Sequence, residues 1–137
     1  MNRKDPLKSI QSLKKWVDSN GRVDYQSIKN DAWFQEQITT IKNTDLSNYN
    51  YNEEFAFWLN TYNLLTIEGI CIELKRKSNW KGNLTLLSKL KFFILRKFKV
   101  GNRKLILNYI EHKILRKKFK DPRIHFVINC GSASCPF

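Results

Sequence analysis

Residues 53–75 constrain this fold more than any other stretch: Glu-Glu-Phe-Ala-Phe-Trp-Leu-Asn-Thr-Tyr-Asn-Leu-Leu-Thr-Ile-Glu-Gly-Ile-Cys-Ile-Glu-Leu-Lys. No proline interrupts them, and their pattern predicts one long helix at the centre of the molecule. At about 100° per residue, Glu54, Thr61 and Glu68 share one face. The opposite face holds Ala56, Leu59, Asn63, Ile67, Ile70 and Leu74, with Asn60 alongside. Two amides therefore fall on the side expected to be most buried. An unpartnered buried amide costs on the order of 1–3 kcal/mol, so Asn60 and Asn63 need partners. Either they bond the backbone of a neighbouring loop, or they orient a catalytic group or a ligand.

The rest of the chain supplies elements to pack around that helix. Leu7, Ile10, Leu13 and Val17 predict a short helix over 6–18, broken by Asn20-Gly21. Trp33, Phe34, Ile38 and Ile41 predict one helix over about 25–42, and 43–52 reads as a polar loop. An amphipathic helix is expected over 84–97. Two short runs separated by Gly101-Asn102 predict a hairpin over about 98–107. A helix over about 108–119 follows; Asp121-Pro122 ends it, and a strand is expected over about 123–129. The fold class is thus α+β: a mostly helical domain with a buried central helix and a small sheet built from the hairpin and that strand. At 137 residues, 42% hydrophobic and 13% aromatic, residues 1–137 read as a single folded domain.

The net charge of +13 is unevenly spread. Residues 1–74 hold 8 Lys/Arg and 10 Asp/Glu, a net of −2. Residues 75–123 hold 17 Lys/Arg against Glu111 and Asp121, a net of +15. That stretch suits anions, nucleic acid or an anionic membrane surface. The absence of a recognised basic motif or glycine-rich RNA signature argues against nucleic acid. No apolar run reaches transmembrane length. No signal peptide is visible behind Met1, so a cytoplasmic location is expected. Three cysteines are too few for a disulfide scaffold, although Cys130 and Cys135 could pair in an exported chain.

The groups that carry chemistry concentrate near the end of the chain. Glu111 falls inside the apolar stripe of helix 108–119, formed by Leu107, Ile110, Ile114 and Leu115. A carboxylate there is paired with a cation, protonated, or at the mouth of a site. An ion pair with Arg123 is one expectation. His112 lies at the stripe's edge and Arg116 beyond it. In the strand, Ile124, Phe126, Ile128 and Cys130 point one way, while Arg123, His125, Val127 and Asn129 point the other. Cys130 therefore continues an apolar face, as a small buried hydrophobe does. Cys135 precedes Pro136, which is favoured at a first helical position, so Cys135 reads as a helix cap. Helix N-termini stabilise thiolates. The small residues Gly131, Ser132, Ala133 and Ser134 let backbone amides crowd as an oxyanion hole requires. The bland alternative is an ordinary strand-turn-helix corner. His125, Cys130 and Cys135 have the spacing H-x4-C-x4-C, which raises the possibility of zinc with His112 or Glu111. No CxxC or HExxH accompanies them, and their faces diverge, so neither metal nor other cofactor is expected.

Three segments in order, Ala56–Asn63, Val100-Gly101 with Ile110–Arg116, and Asp121–Pro136, resemble the hallmark motifs of domain of unknown function family 547. The resemblance covers about residues 20–137. It implies that Asn60, Asn63, Glu111, His112, Arg116, Arg123, His125, Asn129, Cys130, Ser134 and Cys135 belong to the family pattern. Ile106 stands where members usually carry Ser or Thr, and Gly131 replaces a typical Ala. Members continue past the Cys-Pro with another helical segment, so a copy incomplete at its C-terminus, a fragment, is expected.

The functional expectation is a thiol-dependent hydrolase or acyl transferase, its substrate unspecified. Cys135, or else Cys130, is the nucleophile and His125 or His112 the base. Glu111 or an Asn orients the base, and the 131–135 amides receive the oxyanion. Two alternatives stay open: a binding or scaffold module whose polar motif is structural, and anion or nucleic-acid binding through 75–123.

Overall fold

The structure is a computed structural model and describes residues 13–80, 86–124 and 128. A 3₁₀ turn, Lys14–Trp16, leads into a bridge between Val17 and Val23, closed by a turn at Gly21. Helix α1 (Tyr25–Lys29) and helix α2 (Ala32–Asn43) follow. The single helix expected over 25–42 is therefore two. Asp31 breaks it: its backbone is extended and its carboxylate accepts the Phe34 N–H at 3.0 Å, capping α2. The same carboxylate accepts from Trp16 Nε1 at 3.2 Å and pairs with Lys15 at 3.0 Å. Local capping outweighs the apolar periodicity that runs through the break.

Helix α3 (Tyr51–Arg76) is the expected central helix, extended by two residues at its start. A reciprocal capping box sets that start: Asn50 accepts from Glu53 N at 2.9 Å, and Glu53 accepts from Asn50 N at 3.0 Å. Its middle is enclosed on several sides. Trp58, Tyr62, Leu64, Leu65, Ile67, Ile70 and Cys71 are all buried. The expected division into an amide face turned inward and a polar face turned outward fails. Asn60 and Asn63 are half-buried, whereas Thr61, on the face of Glu54 and Glu68, is buried. Packing on many flanks overrides a two-faced reading of the sequence.

Helix α4 (Leu86–Leu90) continues as a π-helical turn, Lys91–Leu95. Its anchor is Phe92, which stacks on Trp80 (centroids 6.2 Å apart) and reaches the α3 backbone at Gly69. Strands β1 (Lys97–Val100) and β2 (Arg103–Ile106) form the expected antiparallel hairpin, with Phe98 opposite Leu105 and Lys99 opposite Lys104. Gly101 takes φ +59° in the turn and donates its N–H to Ile41 O at 3.0 Å, seating the hairpin on the end of α2. A side chain there would meet Thr44 O at 2.7 Å, so the close approach requires glycine.

Helix α5 starts as Leu107–Tyr109 and continues as a π-helix, Ile110–Phe119. It begins at Ile106 without a side-chain cap and ends where Lys120 takes φ +51°. It runs antiparallel to α3: Lys118 donates to Glu54 at 2.6 Å, Tyr51 OH donates to Phe119 O at 3.2 Å, and Phe55 stacks on Phe119. Among the described residues the sheet has two strands. The strand expected over 123–129 is not extended at its start. Asp121 accepts the Arg123 N–H on its side chain and the Ile124 N–H on its carbonyl, which curls the chain into a turn. Ile128 N–H then reaches back to Ile124 O at 3.2 Å. Ile124 and Ile128 are both in the core; residues 125–127 and 129 lie outside the described residues.

Candidate functional site

Four motif residues meet where α5 crosses α3. Glu111, on the first turn of the π-helix, faces α3 and retains about a fifth of its side-chain exposure. Arg116 holds one carboxylate oxygen through Nε at 3.2 Å and a terminal nitrogen at 2.9 Å. Tyr62 OH donates to the other oxygen at 3.3 Å. His112 Nε2 stands 3.9 Å from that same oxygen, and its ring is half exposed. Five residues advance about 500° in an α-helix, which would leave Glu111 and Arg116 roughly 140° apart. A π-helix bonds residue i to i+5 and brings them to one side. The winding of α5 therefore makes this fork possible.

The electrostatics follow from placement. Burial, then the Glu111 charge, pushes the Tyr62 hydroxyl far above its ordinary value, so Tyr62 stays a neutral donor. Cys71 is the free cysteine among the described residues. Its thiol points at Tyr25 O at 3.7 Å, and burial raises it to about 11. It is a core residue whose thiolate is disfavoured at neutral pH.

Arg123 does not pair with Glu111. It forms a fork with Asp121 two residues away, with bonds of 2.5–3.0 Å, because the Asp-Pro turn folds it back on its own segment. Asn60, about 160° from Tyr62 around α3, and Asn63, about 100° from it, are both half-buried. His125, Asn129, Cys130, Ser132, Ser134 and Cys135 lie outside the described residues. Tyr62 escaped the sequence reading; a phenol set between the two amides of the Asn60–Asn63 stretch was the available signal. Among the described residues no three or more His, Cys, Asp or Glu side chains gather as metal ligands. None of the described helices is long and apolar enough to cross a membrane. An open groove of about 620 Å³ lies apart from this cluster, between the α2–α3 loop and the hairpin, over Phe57 and Trp58.

The cluster, its helices and the terminal motif all fall within one family. Residues 46–137 match the model of the family described as "Protein of unknown function, DUF547". That is more than half of the chain, and the chain belongs to this family. No curated protein and no solved structure gives a significant match.

Proposed function

We propose a thiol-dependent hydrolase or acyl transferase in which Glu111 orients His112 as the base, and Cys135, with Cys130 as second choice, is the nucleophile. The observation that supports this reading is the half-exposed imidazole 3.9 Å from a carboxylate that Arg116 and Tyr62 already hold in place. A positioned acid–imidazole pair is how a weak thiol nucleophile is activated. With Nε2 turned toward Glu111, Nδ1 is the nitrogen left to take the thiol proton. The thiolate then adds to a carbonyl carbon, and the imidazolium returns the proton to the leaving group. Water or a second acceptor releases the acyl group.

A structural reading has its own support: every bond of Glu111 named above goes to the chain itself, the Tyr62 bond tying α5 to α3 and the Arg116 fork bracing α5 internally. Alkylation of each thiol, mapped by mass spectrometry across pH, separates the two. The catalytic reading expects Cys135 or Cys130 to react faster at neutral pH than a free thiol, and His112→Ala to remove that advantage without lowering the melting temperature. If neither terminal thiol outpaces a free thiol, and Glu111→Gln lowers stability while His112→Ala changes nothing, the polar motif is structural.

A further inference from the structure

Residues 74–110 hold eleven Lys/Arg and no Asp or Glu. Glu73, just before them, takes up Arg76 and Arg96. On the hairpin, Lys97 and Lys99 lie on one face of β1, both exposed, and Lys104 stands directly across from Lys99. Like charges directly opposite destabilise a strand pair, so this arrangement costs the isolated hairpin stability. On the preceding helix Phe92 is buried and fixes the segment to the core. Leu90, Ile94 and Leu95 turn outward instead, 40%, 42% and 60% exposed, beside exposed Lys89 and Lys91. Lys97 follows Leu95 by two residues, so the aliphatic cluster and the lysine face are neighbours along the chain.

We propose that the stretch Leu90–Lys104 is a docking surface for an anionic lipid membrane. Exposed aliphatic side chains flanked along the chain by lysines, on a segment anchored from behind by a buried aromatic, suit the boundary between lipid headgroups and acyl chains. The lysines add attraction to negatively charged headgroups, and the segment itself carries no Asp or Glu. Nucleic acid fits less well. Its bases stack on aromatic rings, whereas the outward apolar residues of this stretch are Leu90, Ile94 and Leu95, and the exposed ring beside it, Tyr109, is engaged by Arg103. The inference does not depend on the thiol site.

The test is flotation of the full chain with vesicles of phosphatidylcholine alone or mixed with phosphatidylserine. Binding is expected only with phosphatidylserine and falls as salt rises. The pair Ile94→Ser and Leu95→Ser leaves net charge unchanged and should weaken binding by at least about tenfold. The pair Lys99→Gln and Lys104→Gln should weaken it by about tenfold without lowering the melting temperature, since it relieves a repulsion. Equal binding to neutral vesicles, or vesicle binding indifferent to Ile94→Ser with Leu95→Ser, overturns the proposal. So does binding to single-stranded RNA with none to vesicles, which would assign the charge to nucleic acid.

Discussion

Replacing Gly69 by Ala sets two effects of known size against each other. Gly69 lies within α3, where alanine is favoured over glycine by about 1 kcal/mol. On helix propensity alone the substitution stabilises. The added Cβ, however, would lie 2.8 Å from Phe92 Cζ and 3.0 Å from Cε2. Phe92 is almost fully buried, stacked on Trp80 and in edge contact with Phe93 at 4.9 Å. Its ring cannot tip away without moving both neighbours. Overpacking of this kind costs roughly 1–3 kcal/mol. Crowding therefore wins, and G69A should destabilise by about 1 kcal/mol net, lowering the melting temperature by roughly 3–6 °C. The assay is a double-mutant cycle with F92L, followed by urea unfolding. In the F92L background the ring is gone and G69A should become neutral or stabilising, a coupling of about 1–2 kcal/mol. A native-background G69A that raises stability, or an equal effect in both backgrounds, would refute the packing account.

Further consequences concern Glu73, Asp31 and Cys71. E73A leaves the partly buried Arg96 without its carboxylate and should cost roughly 2–4 kcal/mol in urea unfolding; R76A, which removes the exposed partner, should cost under about 0.5 kcal/mol. Asp31 is held below the ordinary value of 3.8, first by its hydrogen bond from Lys15 and next by the Phe34 N–H and Trp16. Its folded pKa lies under the unfolded one, so its contribution is complete above 3.8 and is lost as pH falls through the lowered value. D31N keeps a cap acceptor and should flatten that acid limb in pH-dependent melts, whereas D31A should also cost about 1 kcal/mol at neutral pH. With its thiol raised from 9.0 to about 11, Cys71 should be alkylated about a hundredfold more slowly than an unperturbed thiol at neutral pH, by thiolate fraction alone; an equal rate would mean that the Tyr25 side opens.

The elements legible in the sequence are those set by local, repeated signals. Helix α3 and the hairpin around Gly101-Asn102 both stand where periodicity and turn chemistry put them. The break at Asp31 was harder to read because Phe34 and Ile38 keep the helical spacing on one side of it and Ile28 on the other. The burial of Thr61 is a property of the neighbours of α3 and not of its own pattern; its hydroxyl has no partner among the described residues. In the candidate site, Glu111 announced itself as a carboxylate in an apolar stripe. Its partners did not. Arg123 satisfied itself locally on Asp121, and Arg116 sits at a spacing that no α-helical wheel would pair with Glu111.

That last point has a mechanical consequence. Because the Glu111–Arg116 fork exists only in the wider winding of α5, helix pitch and site geometry behave as meshed gears. Tightening the 110–119 segment to α-helical pitch would rotate Arg116 off the carboxylate and leave Tyr62 and His112 as the groups able to answer its charge. Whatever lengthens or shortens this helix along α3 also resets the charge balance beside His112, by carrying Arg116 toward or away from Glu111.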